Sequence, residues 1–232
     1  MKRPTSEEAA AMNAEPHWAM FSVFKTMVPL DDDVDAQAIL DGIAAAGASV
    51  RGWYDVAGYR ANADLMVWLT GDNPDSLQDA YQAIRNGLVA ICEPVWSVMT
   101  THMEAEFNKD HLPGFFLEPN AKKYMAVYPF VRSYDWYFMD PEERARILKD
   151  HGKQGRPYPD VIASTMATFA MSDYEWVLSF EADNPSRFAH LLRDFRNTEA
   201  RLHVREDTPF YTGKLIELTE WLERQPKFPK FD

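Results

Sequence analysis

The feature that most constrains the fold is a repeat within the chain. The stretch "LMVWLTGDNPDSLQDAYQAIRNG" (65–87) and the stretch "WVLSFEADNPSRFAHLLRDFRNT" (176–198) both run from an apolar strand through Asp-Asn-Pro into an amphipathic helix ending Arg-Asn. Asp72, Asn73, Pro74, Arg85 and Asn86 recur at one constant offset as Asp183, Asn184, Pro185, Arg196 and Asn197. Five matches in register mark a duplicated unit.

The segments before each copy agree as well. "HWAMFSVFKT" and "KYMAVYPFVRS" are aromatic and β-branched runs that read as strands. Each leads through an acidic start into a helix, "DDDVDAQAILDGIAAAG" in one half and "DPEERARILKDHG" in the other. For the second of these helices Asp140 suits the N-cap, Pro141 the first helical position, Glu143 a capping box and Gly152 the C′ position, which places His151 at the helix end. "SVRGWYDVAG" with "ADLMVWLTG", and "DVIASTMATFAM" with "EWVLSFEAD", read as paired strands; "PVWSVMTTH" and "PFYTGKLIEL" supply one closing strand each.

Each half is therefore a strand, helix, two strands, helix, strand unit. The fold class expected is α+β, two tandem ferredoxin-like modules forming a dimeric-type α+β barrel. The expected divisions are a loose N-terminal tail (1–15), a first module (16–105), a linker (106–123) rich in Pro, Asn and Lys, and a second module (124–222). The linker holds His111 beside the apolar "LPGFF" and could double as a lid.

Composition narrows the partners. With 46% hydrophobic and 13% aromatic residues the chain can bury a substantial core. A net charge of −12 and a pI near 4.9 oppose nucleic acid or an anionic membrane as the main partner. Cys92 is the single cysteine and stands among apolar neighbours, so a disulfide within the chain is excluded and a buried thiol is expected. No apolar stretch approaches the ~18 residues of a spanning helix, and the start has no secretory pattern, so a cytoplasmic location without membrane insertion is expected.

Six histidines are present. His17, His102, His190 and His203 lie in no motif. His151 opens His-Gly-x-x-Gly-Arg, where the glycines allow backbone to approach a flat ligand. From spacing alone His151 is either the polar end of a helix or a ligand. No His-Glu-x-x-His stands in the chain, so zinc is not indicated; a lone axial imidazole would suit haem-type iron, whose in-plane ligands come from the porphyrin. In "AVYPFVRSYDWYF" an unbroken strand puts Tyr128, Phe130 and Arg132 on one face, while Pro129 signals an edge or a bulge that would upset that parity. Walker A, GxGxxG and GxSxG patterns are absent.

The combination of "KYMAVYPFVRSYDWY", "HGKQGRPYPDVIASTMATFAMSDYEWVLSFEADNPSRF" and "EARLHVREDTPFYTG" resembles the chlorite dismutase-like superfamily over roughly residues 16–222. It is most similar to the actinobacterial coproheme decarboxylase branch. That resemblance implies hydrogen-peroxide-dependent conversion of two propionates of iron coproporphyrin III (coproheme) to vinyl groups, giving haem b and CO2, with the substrate's own iron as redox cofactor and a homopentamer as the assembly. By position it implies His151 as the proximal iron ligand, Tyr128 as the tyrosine whose radical takes hydrogen from the propionate β-carbon, and His111 as the distal base toward peroxide. It also implies Trp176 near the propionate pocket, and Arg132, Arg201 and Arg156 as propionate anchors. Where firmicute relatives place a distal glutamine, thirteen residues beyond the proximal histidine, and chlorite dismutases an arginine, this chain has Ser164. Serine supplies neither the amide nor the charge, which weighs against chlorite decomposition. A haem carrier or sensor without chemistry, or a chlorite dismutase or peroxidase of the same fold, are the competing readings.

Overall fold

The computed structural model describes residues 4–30 and 34–227. In chain order these form α1 (Ser6–Ala14), β1 (Trp18–Thr26), α2 (Ala36–Ala45), β2 (Ser49–Asp55), β3 (Leu65–Gly71), α3 (Pro74–Leu88) and β4 (Cys92–Thr101). There follow α4 (Gly114–Leu117), β5 (Tyr124–Arg132), α5 (Pro141–Gly155), β6 (Ile162–Ala167), β7 (Trp176–Ala182), α6 (Ser186–Phe195), β8 (Val204–Glu206), β9 (Tyr211–Ile216) and α7 (Leu218–Arg224). Short 3-10 turns occupy Trp136–Phe138 and Glu199–His203. The chain divides into two compact units, one of residues 16–101 with 211–232, the other of residues 1–15 with 102–210.

In the first of these units the strands pair antiparallel: β1 with β3 and β4, β2 with β3 and β9. The resulting order β4-β1-β3-β2 is that of a ferredoxin-like module, the α+β class expected from the repeat. Alternate residues of β3, Leu65, Val67 and Leu69, join Met20 and Phe24 of β1 in one buried cluster with Ile39 and Ile43 of α2 and Leu77, Ile84 and Leu88 of α3. That is the period-two strand face meeting the helix stripe. The Asn73 side chain caps α3 by accepting the Ser76 N–H at 2.9 Å, and Asp35 caps α2 through Ala38 N–H at 3.0 Å. The acidic residues 31–33 of the expected helix start lie outside the described residues. Cys92 is buried as expected, and burial pushes its thiol up to about 12.

In the second unit β7 pairs antiparallel with both β6 and β5, and β5 also with β8. Ala126 and Tyr128 of β5 pack with Phe180 and Ala182 of β7 and with Phe188 and Leu191 of α6. The β7–α6 passage repeats β3–α3, with Asn184 accepting the Ser186 N–H at 3.0 Å.

Several expectations need correction. The first fifteen residues are not all loose: Ser6–Ala14 is a helix whose N-cap Thr5 forms a capping box with Glu8. This α1 is tied to the linker, since Ser6 donates to Asp110 at 3.1 Å and Asn13 Nδ2 donates to the Lys109 carbonyl at 2.9 Å. Glu143 forms no capping box; its carboxylate is held by Arg146 at 2.6–2.9 Å, and Asp140 alone caps α5 through Glu142 N–H. Gly152 does not stop the helix, which continues to Gly155, so His151 lies a turn inside the end. The closing strand "PFYTGKLIEL" contributes β9 to the unit of residues 16–101, where Trp53 faces Ile216 and Asp55 faces Lys214. Pro129 causes no break in the β5–β7 ladder, which runs in register from Tyr124↔Ala182 to Phe130↔Trp176. Alternate pairs of an antiparallel ladder exchange no hydrogen bonds, so a proline can sit in one without interrupting the strand. The irregularity falls later, between Val131 and Arg132 on the β8 side.

Gly114 seats the linker on β6. A Cβ there would lie 2.6 Å from Ile162 Cγ2 and 2.7 Å from the Ala163 carbonyl oxygen, so only glycine permits this approach. Gly114→Ala should lower stability by about 1–3 kcal/mol, the usual cost of forcing an extra methyl into a packed contact. It should be read as a lower denaturant midpoint at constant slope; an unchanged midpoint would show that the linker lifts from β6 at no cost.

Candidate active site

All seven residues singled out from the sequence lie in the unit of residues 1–15 and 102–210. Tyr128, in the middle of β5, is buried; its ring stacks on Phe210 at 4.4 Å and leans on Phe180 at 5.9 Å. Burial holds the phenol well above its ordinary range, while charges on Arg196, Asp207, Arg201 and Arg132 all reach it. The phenol is therefore a protonated group in an apolar setting, surrounded by more positive charge than negative.

Two residues along the same strand face, Arg132 lays its guanidinium over the rings of Phe130 (4.9 Å) and Trp136 (4.1 Å). Its side chain has no carboxylate partner within ion-pair distance among the described residues. Desolvation lowers its pKa to about 10, with Tyr137, Glu175 and Tyr128 acting in the opposite sense, so it stays charged at neutral pH. A cation stacked on aromatic faces and lacking a counter-ion is suited to receive a carboxylate.

Trp176 faces Phe130 across the ladder, with rings 6.4 Å apart and nearly parallel, and meets Phe169 edge-on at 5.3 Å. Its indole N–H donates to the Tyr137 hydroxyl at 3.3 Å, and that hydroxyl donates to Glu175 Oε2 at 2.8 Å. The same Glu175 oxygen accepts the Arg132 backbone N–H at 2.8 Å. A continuous chain of contacts thus joins Trp176 to the strand that carries Tyr128.

His151, on α5, packs its ring 4.1 Å from Phe195. Its Nδ1 lies 3.4 Å from the Thr198 hydroxyl, which already donates its one proton to the Phe195 carbonyl at 2.8 Å. Thr198 can then only accept, so the tautomer favoured is the one with the proton on Nδ1, leaving the Nε2 lone pair available. Burial lowers the imidazole pKa to about 4, and the Arg132 charge acts in the same direction. A neutral imidazole with a free nitrogen is what metal ligation requires. Among the described residues no group of three or more His, Cys, Asp or Glu side chains is placed to hold a metal ion. A metal at His151 would have to bring its other ligands with it, as a porphyrin iron does.

Of the remaining predicted residues, Arg201 joins the group: it reaches Tyr128 electrostatically and donates to Asp207 at 2.6 Å. Arg156, the C-cap of α5, is exposed. His111 stands in the linker as an exposed residue, yet with enough chain around it that desolvation lowers its pKa. Its backbone N–H closes a turn onto the Asn108 carbonyl at 2.8 Å. The linker around it is held at two places. Arg144, on the α5 helix that carries His151, pairs with Glu106 at 2.7 Å and covers the Phe107 ring, and the buried Ser164 hydroxyl accepts the Phe115 N–H at 3.2 Å. No hydrogen bond or ring contact among the described residues joins His111 directly to Tyr128 or His151.

Sequence reading passed over Arg196, Asp207, Glu175, Tyr137 and Thr198. Arg196 had a signal as the repeat counterpart of Arg85, and Tyr137, Glu175 and Asp207 stand within the stretches that carry the family resemblance; Thr198 only closes the second repeated stretch, opposite Gly87 of the first.

Residues 33–216 match the family model for chlorite dismutase. The chain is 44% identical over 225 residues to the coproheme decarboxylase of Mycolicibacterium smegmatis, spanning 93% of this chain and 97% of that one. It is 27% identical over 119 residues to the coproheme decarboxylase of Staphylococcus saprophyticus, 49% of this chain and 48% of that one. The fold of chlorite dismutase from Candidatus Nitrospira defluvii, solved in complex with imidazole, superposes with a TM-score of 0.72 over 90% of this chain and 94% of that chain, at 18% identity. With a family model covering most of its length and a relative this similar from end to end, the chain belongs to the chlorite dismutase family.

Proposed function

We propose that the chain is a coproheme decarboxylase, an enzyme that uses hydrogen peroxide to convert two propionates of iron coproporphyrin III to vinyl groups, yielding haem b and CO2. The observation that carries this reading is the placing of a buried phenol, Tyr128, on the same strand as Arg132, whose charge reaches it and whose guanidinium has no carboxylate within ion-pair distance among the described residues. Electron balance requires a two-electron oxidant for each propionate, which peroxide satisfies. Each propionate loses a β-hydrogen and its carboxylate as CO2, giving up two electrons, and one peroxide takes them with two protons to become two waters. The bound iron supplies the chemistry that draws the first electron and proton from Tyr128.

The chain's own residues divide the remaining work. His151, neutral and with Nε2 free, holds the iron from the proximal side. Tyr128, whose burial disfavours the phenolate, gives up a hydrogen atom and as a radical takes one from the β-carbon of the adjacent propionate. Arg132 and Arg201 hold substrate carboxylates, by the two-point geometry that guanidinium offers; exposed Arg156 is the weakest of the three. Trp176, linked through Tyr137 and Glu175 to the Arg132 backbone, borders the propionate site. His111 takes the proton from peroxide. Ser164, which accepts the Phe115 N–H, offers neither the amide nor the positive charge that relatives place at this position. We further infer a cytoplasmic homopentamer, supported by the family resemblance and testable by the protein's mass in solution; no helix of the described residues is long and apolar enough to cross a membrane.

The decisive measurement is product mass after mixing the protein with coproheme and peroxide, where loss of two CO2 equivalents is expected and no loss would sink the assignment. Tyr128→Phe should bind coproheme normally and leave its propionates intact, whereas a carrier would be indifferent to the change; undiminished turnover would remove the tyrosine from the mechanism. His151→Ala should abolish the axial-imidazole spectrum of the bound complex. His111→Ala should keep that spectrum and slow the reaction with peroxide by roughly 10²-fold or more, the ordinary worth of a general base. Because burial lowers the His111 pKa below 6.5, the base form persists to lower pH than in a free imidazole. The rate with peroxide should then rise with pH along a limb centred below 6.5 and be level through neutrality; a limb centred above 6.5, or one surviving in His111→Ala, would contradict the role.

A further inference from the structure

Two of the guanidinium groups that act on Tyr128 share one carboxylate. Arg201 Nη1 and Arg196 Nη2 lie 2.6 and 2.7 Å from the same oxygen, Asp207 Oδ2. The Asp207 side chain is only 15% exposed, while those of Arg196 and Arg201 are 40% and 36% exposed. The carboxylate is the inner member of the trio, and the cations reach outward from it. Asp207 also stands in the segment that covers the phenol: it follows β8 directly, and Phe210, three residues on, stacks on the Tyr128 ring at 4.4 Å. Arg196, Arg201 and Asp207 all contribute to the field at the Tyr128 hydroxyl.

We propose that Asp207 is a specificity-determining residue that imitates a substrate carboxylate. With no substrate bound it holds Arg196 and Arg201; on binding it yields guanidinium contacts to the carboxylate of the propionate that reacts at Tyr128, and it reclaims them once that carboxylate has left as CO2. This deepens the decarboxylase reading and rests on it.

The physical case is one of exchange between like groups. A free pair of arginines would bind any carboxylate and keep it. A resident carboxylate of the same chemistry makes the exchange close to balanced, since each guanidinium trades one charge-assisted hydrogen bond for another. The two cations are also spared from facing each other without a counter-ion. The balance tips at the chemical step, because the vinyl group left behind accepts no hydrogen bond. Asp207 then has no competitor, and the porphyrin loses its hold at that corner. Selectivity for four carboxylates over two accordingly depends on the competing acid as well as on the arginines.

The test uses the full chain and metal-free porphyrins, so that ligation by His151 does not mask the carboxylate contribution. Coproporphyrin III carries four carboxylates and protoporphyrin IX two carboxylates and two vinyls; each is titrated into wild type and Asp207→Asn with fluorescence as the readout. Asp207→Asn is close in shape and leaves only partly exposed arginines unpaired, and its thermal midpoint verifies that it folds. Coproporphyrin III should bind roughly fivefold more tightly to the variant, the scale of two partly exposed ion pairs. Protoporphyrin IX should change by less than about twofold, since it has no carboxylate to place there. Adding Arg196→Gln to Asp207→Asn should cancel the gain. Weaker or unchanged coproporphyrin III binding in Asp207→Asn would overturn the proposal, showing that the acid only orders the arginines. Equal tightening of both porphyrins would overturn it too, because the arginines would then serve a propionate that survives the reaction. If wild type bound neither coproporphyrin III nor its iron complex, the decarboxylase reading itself would fall, and this proposal with it; binding of the iron complex alone would overturn this proposal only, because the carboxylate contacts would then contribute nothing measurable.

Discussion

Everything at the site depends on the register between β5 and β7. Seven consecutive pairs, from Tyr124↔Ala182 to Phe130↔Trp176, hold without a slip across a proline. That alignment fixes which side chains share a face: Tyr128 among the rings of Phe180 and Phe210, Arg132 two residues beyond Phe130, Trp176 at the far end of the ladder. A slip of one residue would turn the phenol to the other side of the sheet and put Val127 or Pro129 in its place. The aromatic and β-branched residues of both strands, buried on each face along most of β5, make that slip costly.

The second constraint is electrostatic. A chain of net charge −12 is an unpromising host for a substrate with four carboxylates, yet the charges nearest Tyr128 include Arg132, Arg196 and Arg201 against the single Asp207. Acidic surface charge is screened beyond about 8 Å at physiological salt, whereas these charges act at short range on a phenol that is itself buried. The same desolvation gives each group its character. It holds the Tyr128 phenol protonated and the His151 imidazole neutral, the states that the proposed hydrogen donor and the proposed ligand need.

Much of this was legible in the residues. The Asp-Asn-Pro repeat is a strand-to-helix junction used twice, with the asparagine side chain accepting a backbone N–H in each copy: Asn73 as the N-cap of α3, and Asn184 one residue ahead of the α6 N-cap Pro185. The aromatic and β-branched run around Tyr128 marked the strand, which the structure forms over Tyr124–Arg132, but with both faces buried it carries no alternation to show which face the phenol takes. The "TSEE" capping box that starts α1 was also readable and was passed over because a terminal segment is ordinarily loose. Helix α5 ran past Gly152 because glycine only permits a stop, and nothing there takes up the left-handed conformation that makes one. Asp207 and Glu175 were invisible for a different reason. They meet their arginine partners by tertiary contact or across a loop, and no spacing rule relates them.

The linker that carries His111 is fastened on both sides, by Glu106 and Phe107 to Arg144 on one and by Gly114 and Phe115 to β6 on the other, with α1 bracing Asp110 and Lys109 between. Such a segment behaves as a strap and not as a hinged flap. It can bow by the slack of the six residues 108–113, but it cannot swing clear while its buckles hold. If His111 is the base proposed above, its reach is set by flexing over a short arc, so lengthening or shortening the strap would tune the reaction with peroxide without touching the groups proposed to bind the porphyrin.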